Sequence, residues 1–259
     1  MPCLEWYNKP VMGWVFLSPH LDDAVLSCGG LIYELIQSGQ AVEICTICAG
    51  DPPDGEFSPL ADMLHQRWGV GGADAQARRR EEDKAACGVL GAVPYHFPIS
   101  DCIYRRNPQT GQPLISSNEA LFQPLPAVEY PLAARIAQEL KKHIPAGSQI
   151  VCPLTLGGHL DHHLTRTAAE LLHQPLWYYA DYPYLLQESG RLYEYVSPAW
   201  QIFQVTISPD GCRAWQNAVA CYQSQISTFW TDTNQMRQSI SHYWQKGGGS
   251  TLWTPTPST

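Results

Sequence analysis

The chain has 259 residues, 44% of them hydrophobic and 15% charged, with a formal net charge of −8. That length supports a full hydrophobic core in one large domain or two small ones. The acidic balance argues against a nucleic-acid binder, whose footprint is a basic patch or stripe, and the longest basic run, Arg78 to Arg80, leads straight into Glu81, Glu82 and Asp83 as a salt-bridged helix face would.

In chain order, GWVFLS (13–18) reads as a strand, DAVLSCGGLIYELIQSG (23–39) as a helix closed by Gly39, and AVEICTICAG (41–50) as a second strand. A helix follows over 74–91, then a short strand AVPYHFP (92–98), a helix over 127–144 with its lysines near the end, where they suit the dipole, and a strand QIVCPL (149–154). HHLTRTAAELLHQ (162–174) is a helix and PLWYYA (175–180) a strand. This alternation predicts an α/β fold, a Rossmann-like three-layer αβα sandwich with a mostly parallel central sheet. Two Pro- and Gly-rich stretches, 50–72 and 101–126, interrupt the rhythm after strand ends and are expected to frame a site at the carboxyl edge of the sheet. The single domain is expected to have its core over about 12–185. A smaller C-terminal strand and helix extension would span 186–245, with an edge strand or hairpin over 193–207 and an amphipathic helix over 210–230. A loose tail would cover 246–259.

No stretch approaches the ~18 consecutive apolar residues of a membrane span. The opening MPCLEWYNKPVMGW lacks the basic-then-apolar pattern of a signal peptide. Among the nine cysteines the one Cys-x-x-Cys pair, Cys45 and Cys48, sits in a strand-like run whose alternation turns the two side chains apart. Cys45, Cys48 and Cys152 are therefore expected as buried free thiols in a cytoplasmic protein with reduced cysteines.

Two short segments carry the chemistry. His20-Leu21-Asp22-Asp23 directly follows the first strand, and GGHLDHH, Gly157 to His163, follows the strand QIVCPL. Both lie at carboxyl ends of strands, where parallel sheets place their ligands. His20 and Asp23, three residues apart, come to one side of a tightening turn, and Asp22 points elsewhere. A histidine and a carboxylate from one turn with a histidine from another loop form the donor set of a catalytic zinc site with an open position for water. Such a metal acidifies its water to near neutrality, and a neighbouring unbound carboxylate such as Asp22 can take the proton. Of His159 and His162, one can bind metal and the other face a developing oxyanion, with Asp161 on a histidine's second ring nitrogen. Against this stands a plain helix N-cap at Asp22 and Asp23, and a polar cap at His159 and His162. The pairing of the two segments at matching places in the fold favours the metal.

These residues resemble the PIG-L/LmbE-like family of metal-dependent de-N-acetylases, whose pattern is Pro/Ala-His-Pro-Asp-Asp-Glu followed far downstream by His-x-Asp-His. The resemblance spans about Trp14 to Tyr184. It implies His20, Asp23 and His162 as zinc ligands, Asp22 as general base, and His159, tuned by Asp161, as the group that stabilises the tetrahedral intermediate. The donor set also suits ferrous iron. The implied activity is hydrolysis of an N-acetyl or N-acyl group from an amino sugar or a small-molecule amino-sugar conjugate, with a homo-oligomer left open. The same site acting on a non-sugar amide, cyclic imide or ester is the alternative, and an inactive metal- or sugar-binding module a second one. Arg79, with Glu82 in the family's Arg-x-x-Glu, and Asp101 are implied near substrate. The bland alternatives are a solvated ion pair for Arg79 and a turn cap for Asp101. Asp181 and Tyr182, in the aromatic run WYYADYPY, are further candidate substrate contacts. Leu21 replaces the family's usual proline and Ala24 its glutamate, so any contact that glutamate makes is absent here or supplied by another group. Gly29-Gly30 is no dinucleotide fingerprint and is expected to serve close packing of a helix start near the site.

Overall fold

The computed structural model describes residues 13–69, 71–72, 74–187 and 192–256. The N-terminal residues on which the signal-peptide reading mostly rests lie outside them. Strand β1 (Trp14–Ser18) is buried along its whole length, as is β2 (Val42–Thr46), which fits strands covered on both faces by helices. With β3 (Val93–His96), β4 (Gln149–Pro153), β5 (Leu176–Tyr179), β6 (Gln201–Gln204) and β7 (Thr251–Thr254) they form a seven-stranded sheet of order β3-β2-β1-β4-β5-β7-β6. The strands from β3 to β5 are parallel, and β7 joins β5 and β6 antiparallel. The expected mostly parallel α/β sandwich is the observed one. Strand order reverses between β1 and β4, and in such sheets a crevice opens beyond the carboxyl ends at that point.

One face of the sheet is covered by α1 (Asp23–Gln37), α3 (Asp74–Leu90), α8 (Pro209–Val219) and α10 (Thr233–Gln245) around Phe16, Ile44, Leu252 and Trp215. The other is covered by α4 (Tyr130–His143) and α5 (Leu160–Glu170) around Val15, Leu17, Cys45 and Cys152. Cys45, Cys48 and Cys152 are free and buried, as expected. Gly29 does serve close packing, though in the body of α1 and not at its start beside the site: a Cβ there would lie 2.3 Å from Cδ1 of Trp215, so only glycine lets α8 sit this near α1.

Three expectations are corrected. The stretch 50–72 is not all loop: Pro59–Trp68 forms α2, with Ser58 Oγ accepting the Ala61 N–H and Gly69 closing it at φ 64°. Its apolar residues pack with Ile103, Tyr104, Ile115 and Leu121 of the second long loop, so the two loops form one satellite core over the carboxyl edge. After β5 come two single-turn helices, α6 (Tyr184–Gln187) and α7 (Leu192–Tyr195), and the helix expected over 210–230 breaks after Val219 and resumes as the short α9 (Ile226–Phe229). The residues assigned to a loose tail instead include β7, an interior strand with Leu252 fully buried. Pairing on both sides holds that segment in place, which its short apolar run, TLW, did not signal.

Candidate active site

The turn after β1 brings His20, Asp22 and Asp23 to the switch point. His20 Nδ1 lies 3.0 Å from Asp23 Oδ2, which also accepts the His20 backbone N–H at 2.8 Å. Asp22 occupies the N-cap position of α1, yet its side chain makes no capping bond. The simple N-cap reading therefore does not account for its carboxylate. From the β4 side, the loop carries His159 at the N-cap of α5 and His162 one turn on. His162 Nε2 reaches 3.3 Å from Asp23 Oδ1, and the rings of His20 and His162 are 5.6 Å apart. The two sequence segments thus meet, because β1 and β4 pair directly.

Carboxylates orient each histidine from behind. Asp181 Oδ1 is 2.6 Å from His162 Nδ1 while its Oδ2 accepts the Leu156 N–H at 3.0 Å. Asp161 Oδ2 is 3.1 Å from His20 Nε2 and accepts the Cys102 N–H at 2.9 Å. Each ring therefore has one nitrogen engaged by a buried carboxylate and the other turned toward Asp23, the arrangement metal-ligating histidines adopt. The buried His162 Nε2 has no hydrogen-bond partner. Burial works against protonating His162, but Asp23 and then Asp181 lift it to about 9. His20 is likewise raised well above its usual range: burial opposes this, and Asp101, Asp161 and Asp23 outweigh it. A site this rich in buried carboxylates calls for positive charge; His20 and His162, each facing Asp23, are groups that could hold a divalent cation with it, and His20, His159 and His162 also bring ring nitrogens within 4.8 Å of one another.

Asp22 stands beside this group without joining it. Burial, and then the charge of Asp23, push its carboxyl up to about 7 against the pull of Arg79. Arg79 is 4% exposed, with its guanidinium 3.7 Å from Asp22 Oδ2 and stacked over Trp68 at 4.9 Å. It is therefore no solvated ion pair. Glu82 turns away and binds the backbone N–H and hydroxyl of Ser224. His159 Nδ1 accepts the Asp161 N–H at 3.2 Å, which leaves a neutral ring's proton on Nε2. Burial and the neighbouring His20 and His162 hold His159 well below its usual range, hence neutral and able to donate.

A cavity of about 470 Å³ opens above these groups, lined by His20, Asp22, Asp23, Arg79, Asp101 and His159 at its floor. Trp68, Phe122, Tyr184 and Phe229 form apolar walls, with Asn118 and Gln225 as polar wall groups. The two long loops do frame this mouth. Asp101 caps its turn, with Oδ1 accepting the Ile103 N–H at 3.1 Å, and its other oxygen lies 3.7 Å from His20 Nε2 at the cavity lining. Gly157, at φ 83°, leaves room for the Tyr184 ring, which a Cβ would meet at 2.6 Å. His163 does not line the cavity.

Three placements differ from expectation. The Asp161 carboxylate holds a histidine's ring nitrogen as expected, but that of His20; it acts on His159 through its charge and not through a hydrogen bond, because the N-terminal turn of α5 gives His159 only the Asp161 backbone N–H. Asp181 is buried beneath His162, not in the cavity wall. Tyr182 points away, stacked on Tyr243 at 4.5 Å with its hydroxyl on Ser239. One supporting residue went unnoticed in the sequence. Arg105 lies 2.7 Å from Asp161 Oδ1 and 2.6 Å from Glu129 Oε2 and thereby fixes the carboxylate that fixes His20. It sits in a loop without periodicity, and its position just after Asp101 was the one available hint.

Carboxylate-backed histidines facing a shared carboxylate, with a spare acid alongside, at the switch point of a parallel sheet, mark the class of metal-dependent α/β hydrolases. The chain belongs to the PIG-L family: the family model described as GlcNAc-PI de-N-acetylase matches residues 15–172. It is accordingly a deacetylase, a hydrolase of amide bonds. The chain is 28% identical over 218 residues, 75% of its length and 74% of the relative's, to a 2'-N-acetylparomamine deacetylase of Niallia circulans. Its structure is similar to that of the zinc-inhibited form of the teicoplanin deacetylase Orf2, with a TM-score of 0.78 and 29% identity over 93% of this chain and 97% of that one. The A40926 pseudoaglycone deacetylase Dbv21 is similar too, with a TM-score of 0.69 and 26% identity over 94% of this chain and 96% of that one. Among the described residues no helix is long and apolar enough to cross a membrane.

Proposed function

We propose that the chain is a zinc-dependent hydrolase that removes an N-acetyl group from an amino sugar carried on a larger small-molecule conjugate. The observation that carries this reading is that His20 Nδ1 and His162 Nε2 each face an oxygen of Asp23, at 3.0 and 3.3 Å, with the Asp22 carboxylate next to them and held by Arg79. The substrates in the relatives' names, 2'-N-acetylparomamine, teicoplanin and the A40926 pseudoaglycone, support the substrate class. The free, buried cysteines suit the reducing cytoplasm expected from the sequence.

His20, Asp23 and His162 would hold the ion, which when bound supplies Lewis acidity and a water acidic enough to ionise near neutral pH. Asp22, poised near neutrality, takes a proton from the attacking water as its oxygen bonds to the acyl carbon. His159 donates from Nε2 to the carbonyl oxygen as negative charge gathers there. When the C–N bond breaks, Asp22 returns its proton to the leaving amine, and the carboxylic acid then gives the water's second proton to that amine, so that the products are a carboxylate and a protonated amino sugar. Arg79 steadies Asp22 as a carboxylate between turnovers. Trp68, Phe122, Tyr184 and Phe229 offer apolar faces to sugar rings, and Asp101, Asn118 and Gln225 offer partners to hydroxyls.

The test is release of primary amine from a panel of N-acetylated aminoglycosides, N-acetylglucosaminides and simple acetamides, with zinc-loaded protein. Turnover is expected on the amino-sugar conjugates and little on the acetamides. Equal rates on simple acetamides would overturn the substrate class, and release unaffected by Asp22→Asn would overturn the base.

A further inference from the structure

A second group of metal-ligating side chains lies on the sheet face covered by α4, and none of its members lines the catalytic cavity. Glu43 and Cys45 are alternate residues of β2 and so share a face. His143, the last residue of α4, meets them there. Its Nε2 lies 3.1 Å from one Glu43 oxygen and 3.2 Å from the other. With the Cys45 sulfur, one ligand atom from each residue lies within 4.8 Å of the other two. Glu43 is 4% exposed and Cys45 fully buried, whereas the His143 side chain keeps 18% exposure and gives the group its access to solvent. Tyr95 stacks on the imidazole at 3.7 Å and Phe97 packs edge-on at 5.8 Å, which holds the ring's aim.

A carboxylate in the interior of a parallel sheet is costly unless it is paired or bound to metal. The imidazole is one partner and the Cys45 thiol, which donates to the same carboxylate, is the other, so oxygen, nitrogen and sulfur donors already converge on one point. We propose that Glu43, Cys45 and His143 form a second cation site, for a thiophilic divalent ion of the zinc type, with the remaining coordination position toward solvent at His143. A tetrahedral zinc site sets its oxygen, nitrogen and sulfur donors about 3.3–3.5 Å apart, and the Glu43–His143 separation is already close to that. Thiolate and imidazole select against magnesium and calcium, which take oxygen donors. On binding, the Cys45 S–H bond breaks, its proton leaves to solvent, and the sulfur's electron pair bonds the metal. Carboxylate, thiolate and dication together are then neutral, which suits burial. The ion would tie β2 to the end of α4 across 100 residues of chain.

The catalytic donors proposed above contain no thiol, so the two sites are distinguishable by spectrum. The full chain, freed of metal by dialysis against chelator, is titrated with Co²⁺ alone. A near-ultraviolet thiolate-to-cobalt charge-transfer band is expected, with about two ions bound per chain. Cys45→Ser and His143→Ala each remove the band and lower binding to about one ion, with deacetylation unchanged, while His162→Ala keeps the band. His143 is partly exposed, so its variant remains informative should Cys45→Ser fold poorly. A wild-type chain without the band would overturn the proposal. So would a band that survives Cys45→Ser and disappears in Cys102→Ser, since Cys102 lies beside the catalytic group.

Discussion

Asp181 and Tyr182 are neighbours in the chain, both almost fully buried, and they belong to two regions built on opposite principles. Asp181 turns toward the carboxyl edge of β1 and β4, where His20, Asp22, Asp23, Asp161 and His162 are buried as ionisable groups. Tyr182 turns into the C-terminal block, where Tyr243, Trp215 and Trp230 surround it with aromatic rings. Buried charges are a burden on stability and serve chemistry. Buried aromatic surface is what stabilises a fold. The C-terminal block packs α8 directly on α1, the helix whose first turn carries Asp23, so the stable region anchors the costly one.

If that division is right, each region can be damaged without the other. The largest effect should come from metal removal: chelation is expected to abolish amine release, zinc should restore it, and circular dichroism should show the fold retained throughout. Full activity in metal-free protein would end the comparison. Next, Asp22→Asn should lower kcat by about 10²–10⁴ with the bound metal content unchanged by elemental analysis. The C-terminal counterpart is Trp215→Ala, expected to cost about 3–5 kcal/mol in urea denaturation, while the protein that remains folded binds metal as tightly as the wild type. The smallest effect is Asp181→Asn, which should weaken metal binding by about 10–100-fold and move the denaturation midpoint of metal-free protein less than Trp215→Ala does. Should Trp215→Ala weaken metal binding as much as Asp181→Asn, the two regions would be one cooperative unit.

The alternation of strands and helices through residue 180, and the placing of His20, Asp22, Asp23, His159 and His162 at strand ends, could be read from the sequence. Hydrophobic period and turn residues are local signals, and the histidine and aspartate spacings are local as well. Tertiary structure alone decided what those residues meet. Strand pairing joined β1 to β4 and so closed the distance between the two motifs. It also set Asp161 on His20 rather than on His159, and turned Asp181 from a cavity wall to a support beneath His162. Likewise, Arg105 acquired its role only when a loop without periodicity folded over Asp161, and Thr251–Thr254 became an interior strand only through its antiparallel pairing with both β5 and β6. Contacts of this kind depend on which surfaces are buried together across many residues of chain, and no short window of sequence carries that information.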